Sequence, residues 1–508
     1  MQDLARWGLP SEIDVLIAGG GTSGAALAGL LARDTTLRVV VLEAGPDYGA
    51  LADGGWPREL LDATTIPRSH DWGYAGLGHA SHTRLTSYDR ARVIGGCSAH
   101  NGCVALLGHR RDYDGWAELG NEGWEWEAVA PAFEQAKLGL RVRFVEDSEV
   151  TPFQRLFIEG AVAAGIPRVH DMNDADDPIG VASSPVNIYD GLRWNTALGY
   201  LDRVRGRPNL TVLGNVLVDK VVTERGRAVA VEAVIDGQPV RIPAARIVVS
   251  AGAYGSPAIL LRSGIGPADE LRALDIALAH ALPGVGHGLT DHPGVHLQLG
   301  NPTALGGQMD TLLAQGWLPD EQTLAKARSQ RCAEAFDLHL YAVSHQSKAT
   351  GAWGYLLEIA KVTPRATGTV KLASARPSAA PLIEHAFLSD PEGLDLEILV
   401  DGVELAGEIL ESAPLLGAFG TGPGRVSRAD LAEYVRENVG IYYHPACSCR
   451  MGPDGDATAV VDARGRVHGL DDLYICDASI FPVIMRANTN LPAVMLAERM
   501  ATWIGDLS

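Results

Sequence analysis

The segment Gly19-x-Gly21-x-x-Gly24 constrains this chain more than any other. Before it lies a short apolar run, Asp14–Ala18, and after it Ser23–Ala32 carries small and leucine residues at helical spacing. Leu37–Leu42 is a second apolar, β-branched run. Strand, helix and strand in such close succession form a βαβ unit, the start of a parallel sheet. The first glycine of the motif allows the tight turn, the second lets a pyrophosphate approach the backbone, and the third lets the helix pack on the strand. Thr22 and Ser23 open the helix, whose N-terminus offers free N–H groups and a positive dipole end. Glu43 and Ala44 follow the second strand. Glu43 is placed to accept a hydrogen bond from a ribose 2′-hydroxyl, and its charge disfavours the extra phosphate of NADP. The motif reads as a dinucleotide site for FAD or NAD, the alternative being a merely glycine-rich turn.

The remainder extends this unit into a larger α/β protein. A length of 508 residues holds two or three domains' worth of core. Val-rich Ile247–Ser250, the short helix Pro257–Arg262, the strand Leu473–Cys476 and the helix Pro492–Ile504 read as further parts of the first sheet. Phe336–Val343, Thr369–Leu372 and Leu394–Ser412 read as strands and a helix of a second region. The domains are therefore expected to be discontinuous: 1–155, 200–300 and 435–508 in one, 156–199 and 301–434 in the other. The net charge of −20 repels phosphate and argues against a nucleic-acid partner. No apolar run reaches membrane-spanning length, and Met1–Glu12 lacks the pattern of a secretory signal, so a cytoplasmic protein is expected, its oligomeric state, monomer or homodimer, being left open by the sequence. Six cysteines in so long a chain do not make a disulfide framework. His444-x-x-Cys447-x-Cys449 matches no common zinc spacing, and no metal site is expected.

Four further segments carry a family resemblance. They are Glu43-Ala44-Gly45-Pro46; Arg92-Val93-Ile94-Gly95-Gly96-Cys97-Ser98-Ala99-His100-Asn101; the segment from Gly252 to Gly266; and Asp477-Ala478-Ser479 through Asn488-Thr489-Asn490-Leu491-Pro492. In this order they resemble the glucose–methanol–choline (GMC) oxidoreductases, as does Asp291-His292-Pro293. The resemblance spans nearly the whole chain and is weakest from about 301 to 360. It implies a Rossmann-like FAD-binding domain and a substrate domain built on a six-stranded antiparallel sheet over the flavin ring. It implies that Gly19 to Glu43 hold the pyrophosphate and adenosine ribose, with Ala44, Arg92, Gly95, Gly96, Asn101, Gly102, Ala251 and Thr489 among the cofactor contacts. Val218, on an expected strand Val216–Val222, resembles the residue that meets adenine through its backbone. Asp477 and Ala478 would meet the ribityl–pyrophosphate region.

His100 stands in Gly-Gly-Cys-Ser-Ala-His-Asn, which is similar to the choline oxidase branch, where this histidine carries FAD covalently. The resemblance implies such a bond here, against the plainer reading of a histidine that hydrogen-bonds in a buried turn. Gly102 departs from that branch, which has serine at this place. Tyr442-Tyr443-His444-Pro445 resembles the catalytic histidine segment, and Asn488 its partner. A neutral imidazole can take a hydroxyl proton; an amide cannot, but can hydrogen-bond the oxygen and orient the carbon. Asn490 is an alternative to Asn488. His339 and His345 are candidate substrate contacts or plain strand residues. Trp72 is a candidate wall of an aromatic cage for a quaternary ammonium, and Trp317, Trp353 and Tyr355 line an apolar pocket or pack in the core. The expected activity is oxidation of a small-molecule alcohol by hydride transfer to FAD. Either O2 or a quinone or other acceptor takes the electrons. A lyase or decarboxylase on the same fold, or a non-catalytic dinucleotide-binding protein, are the readings from other classes.

Overall fold

The computed structural model describes residues 4–506 apart from 177–178, 317, 421, 423 and 425; Trp317 therefore lies outside the described residues. Five strands form a parallel sheet in the spatial order Leu210–Leu213, Val39–Leu42, Val15–Ala18, Arg246–Val249 and Leu473–Ile475. The two central runs, Val15–Ala18 and Val39–Leu42, are buried at every position. That is the pattern of parallel strands covered on both faces, which need continuous apolar sequence. The helix Thr22–Asp34 crosses between them and packs against the helix Asn490–Gly505. The latter begins two residues before the expected Pro492, which sits in its first turn, where a missing N–H costs nothing. A separate three-stranded meander, Val216–Glu224, Arg227–Ile235 and Gln238–Pro243, adjoins this unit.

The second sheet has six strands, all antiparallel, in the order Gly440–Ile441, Pro293–Gln298, Trp353–Lys361, Leu338–Gln346, Glu321–Ala327 and Gly180–Ser183. Two of them, Pro293–Gln298 and Gly440–Ile441, fall within stretches expected to belong to the first unit. The boundaries at 300 and 435 are accordingly corrected, because backbone hydrogen bonding assigns these residues to the six-stranded sheet. One face of that sheet packs on the helices Pro152–Ala163 and Leu394–Leu410. Strand alternation decides which side chains go there. Trp353, Tyr355, Leu357 and Ile359 point into this helix-side core, whereas the intervening residues Leu356 and Glu358 face the other way. Trp353 donates its indole N–H to Asp310 there (2.8 Å), and neither it nor Tyr355 lines the central cavity.

Candidate active site

A cavity of about 800 Å³ lies between the parallel sheet and the outward face of the six-stranded sheet. One end is the glycine turn. Gly19, at φ +108°, leaves only 2.3 Å between an added Cβ and the Ser250 carbonyl oxygen. Gly24 faces the Gly19 carbonyl oxygen at 2.0 Å by the same measure, so helix and strand touch there. Gly21 is different. The nearest protein atom to an added Cβ is 3.8 Å away, and the residue lines the cavity with Gly19, Thr22 and Ser23. Packing does not demand glycine at Gly21; an occupant approaching the helix N-terminus does.

The second glycine turn docks on the first. Gly95 donates to the Gly20 carbonyl (2.7 Å), and Ser98 N–H donates to the Thr22 hydroxyl (3.1 Å). Gly96, His100, Asn101 and Gly102 reach the cavity from this turn. Gly95, Gly24 and Arg92, also expected among the cofactor contacts, stand behind this wall rather than on it. Gly24 is taken up by helix–strand packing. Gly95 holds the turn at φ +86°. The Arg92 guanidinium lies over the Trp72 ring and donates to the Ala44 carbonyl.

Glu43 and Ala44 line the nucleotide end, with Val218 and Ala251 beyond them. The Glu43 carboxylate accepts N–H groups of Gly20 (2.9 Å) and Gly45 (2.7 Å), one on each oxygen. A second lone pair remains on each oxygen. Asp477 is tied more fully: it accepts from Gly252 N–H (2.9 Å), the Ser256 hydroxyl (2.5 Å) and Ser479 N–H (2.8 Å). With Ala478 it lines the cavity while anchoring the turn after Arg246–Val249.

At the other end stand His444 and Asn488, with Thr489 and Asn490 beside them. His292, buried and outside the expected site set, fixes the chemistry of His444. His292 Nε2 faces the Met485 carbonyl oxygen (3.1 Å), so that nitrogen carries a proton. Burial holds His292 far below its ordinary value, at about 3, so the ring is neutral and Nδ1 is bare. His444 Nδ1 lies 3.1 Å from that atom and must be the donor. The free lone pair of His444 is thus on Nε2, and burial, then the His292 ring, keep the imidazole well below its usual value. Asp291 Oδ1 accepts the main-chain N–H of both His292 (2.7 Å) and His444 (3.0 Å), fixing the two backbones together. Asp291, His292 and His444 are the one cluster of three potential metal ligands among the described residues, but the two Nδ1 atoms are engaged with each other. Cys447 and Cys449 are buried thiols outside it.

Asn488 is oriented in turn. The Tyr341 hydroxyl donates to Asn488 Oδ1 (3.0 Å), which leaves the amide N–H groups for the cavity. Asn490 has neither amide atom partnered, although both are buried. His345 and Trp72 line the cavity. His339 does not: its ring stacks on Phe336 and both its nitrogens lack partners. His100 lines the cavity with Nε2 2.7 Å from the Ser69 carbonyl oxygen, so its lone pair is on Nδ1, and burial favours the neutral ring.

The residues fit a flavin dinucleotide. Gly21 leaves room at a helix start, Glu43 has acceptor capacity for a ribose, and Asn490 offers an unpaired donor and acceptor at the opposite end. A cavity running from a nucleotide cradle to an oriented imidazole base belongs to a flavin-dependent oxidoreductase. The GMC oxidoreductase family models match residues 13–294 and 364–497, and the chain belongs to that family. It is 32% identical to choline dehydrogenase, mitochondrial, of Mus musculus over 96% of this chain and 89% of that protein. It is 33% identical to the oxygen-dependent choline dehydrogenase of Pseudomonas savastanoi pv. phaseolicola, over 97% and 93%. Pyridoxine 4-oxidase from Mesorbium loti superposes with a TM-score of 0.85 at 28% identity, over 97% of this chain and 99% of that one.

Proposed function

We propose that the protein oxidises an alcohol to a carbonyl compound, with His444 as the base and Asn488 as the group that holds the substrate oxygen. The observation that carries the reading is the fixed tautomer of His444, donor at Nδ1 and acceptor at Nε2, set by the neutral His292 ring. His444 Nε2 takes the hydroxyl proton, and the Asn488 amide N–H groups stabilise the oxygen as negative charge grows on it. Bound FAD supplies the acceptor for the hydride that leaves the alcohol carbon. Tyr341 keeps the Asn488 carbonyl oxygen turned away from the substrate.

His100 is the residue that carries the flavin covalently in this reading. Its neutral ring and bare Nδ1 at the cavity wall support the assignment, as does its surrounding sequence. The electron acceptor is O2, a reading supported by the oxygen-dependent relative from Pseudomonas. Anaerobic addition of an alcohol panel, followed by air, tests the proposal. Bleaching of the flavin by one alcohol and rapid return of colour in air is the expected result. A flavin that no alcohol bleaches refutes the reaction, and slow recovery refutes the acceptor. Yellow colour in the trichloroacetic acid pellet of the wild type, lost in His100→Ala, is expected of the covalent bond; a colourless wild-type pellet refutes it.

A further inference from the structure

The six-stranded sheet sends a carboxylate into the cavity by an irregularity in its strand pairing. On Glu321–Ala327 the register against Leu338–Gln346 is regular from Ala327 to Leu324, then slips, so that Glu321 pairs with Val343. The slip places two consecutive side chains on the helix side. Gln322 accepts Thr151 N–H (2.8 Å) and donates to the Glu149 carbonyl (2.7 Å), and the Thr323 hydroxyl bonds Gln154. Glu321 is thereby turned to the same face as Val343 and Tyr341, which is what a β-bulge does beside a functional site. It lies over Gly102, where an added Cβ would meet Glu321 Oε2 at 3.1 Å. The side chain missing at residue 102 is the space this carboxylate uses.

Glu358 completes the arrangement. It is the register partner of both Tyr341 and His296 on the cavity face of the sheet, and its carboxylate lies 3.6 Å from His296 Nε2. Directly paired residues bring their side chains side by side, and the Tyr341 hydroxyl is the one that holds Asn488. Asp320 lines the same wall. A polar atom independent of the acids also has capacity to spare there: the Tyr442 hydroxyl, on a residue only 6% exposed, lines the cavity, and its one hydrogen-bonding neighbour is the Tyr341 hydroxyl, whose proton goes to Asn488.

We propose that Glu321 and Glu358 form a subsite for a protonated primary or secondary amine, so that the substrate is a short amino alcohol whose ammonium N–H groups are read by these two carboxylates. This rests on the alcohol-oxidation reading above. Ionised carboxylates only accept hydrogen bonds, so an ammonium that can donate satisfies them where a quaternary one, presenting C–H alone, does not. Burial lifts Glu321 to about 7, and burial followed by the charges of Glu321 and Asp291 lifts Glu358 to about 8; a cation beside them offsets that penalty. Of the cations lining the same cavity, Arg68 pairs with Asp89, Arg262 with Asp219, Arg90 donates to the Tyr443 carbonyl and Lys348 is exposed, while burial lowers the His296 imidazole beside Glu358. The order Asn488, Tyr341, Glu358 keeps the amine within a few bonds of the reacting carbon.

The test uses the FAD-loaded enzyme at pH 8 and three probes with no reactive amino-alcohol unit: propylamine, tetramethylammonium and propan-1-ol, each titrated by its perturbation of the flavin absorbance. Propylamine is expected to bind roughly tenfold or more tighter than either of the others, a hydrogen-bonded charge against an unpaired one. Glu321→Gln and Glu358→Gln, which keep the shape and remove the charge, should each erase most of that advantage while the flavin spectrum stays native. Tetramethylammonium binding as tightly as propylamine overturns the proposal, and so does an advantage that survives both substitutions. Flavin bleached equally well by neutral and amino alcohols refutes the subsite and leaves the alcohol-oxidation reading standing. Propylamine bound as expected, in an enzyme that no alcohol bleaches, refutes the reaction and leaves the subsite.

Discussion

Replacing His292 by leucine tests the link between a buried hydrogen bond and the chemistry of His444. The substitution removes the acceptor 3.1 Å from His444 Nδ1 and leaves that N–H buried with no partner. An unsatisfied buried donor costs about 1–3 kcal/mol, and the other tautomer, with Nε2 protonated, relieves none of the substrate's need for a base. Because the misplaced proton is felt when the hydroxyl is deprotonated, the cost falls on the rate of flavin reduction. It corresponds to about 5- to 150-fold, with substrate affinity little changed. Stopped-flow absorbance under anaerobic conditions separates the limiting reduction rate from the apparent dissociation constant. His292→Gln, which retains an acceptor oxygen, should recover much of the loss. A His292→Leu enzyme that keeps its flavin and reduces it within twofold of the wild-type rate would refute the tautomer argument.

Three other outcomes follow from the same geometry. Gly21→Ala should fold and bind FAD weakly, since only an occupant crowds that position, whereas Gly24→Ala should lower thermal stability, because its Cβ meets backbone at 2.0 Å; thermal melts with and without added FAD distinguish them. Tyr341→Phe frees the Asn488 amide to rotate and should slow flavin reduction by about 1 kcal/mol, roughly fivefold; an unchanged rate shows that Asn488 is oriented by other contacts. The acid limb of the limiting flavin-reduction rate, which reports His444 in the substrate complex rather than the carboxylates that bind, should lie below the ordinary histidine value of 6.5, because burial and the His292 ring lower it and the base stays ready as pH falls through that value. An acid limb above 6.5 contradicts this.

The local parts of the fold were legible because local pattern decides them. The glycine spacing, the buried runs Val15–Ala18 and Val39–Leu42 and the helix between them follow from propensity and turn chemistry over adjacent residues. The six-stranded sheet came from family resemblance, and its edges escaped because Gly440–Ile441 is a two-residue strand with no periodicity of its own. His292 was visible as part of Asp291-His292-Pro293, but its role depends on a contact with a residue 152 positions away. Glu321 was hidden for a sharper reason. Alternation alone puts it on the helix side, and only the register slip at Gln322 and Thr323 turns it into the cavity. The one trace in the sequence was the glycine at 102.

The order of the parallel sheet carries a consequence for biosynthesis. The cradle strand Val15–Ala18 emerges first, yet its neighbours include Arg246–Val249, and the outer strand Leu473–Ile475 and the helix carrying Asn490 come more than four hundred residues later. At ribosomal speeds the first turn waits on the order of a minute for those partners. Asp477, which pins the Gly252 turn, is made in the same late stretch. A nascent chain therefore displays the glycine motif without the walls that would retain a nucleotide. Retention of the flavin therefore depends on the late stretch that supplies Asp477, Ala478 and Asn490 to the cavity wall.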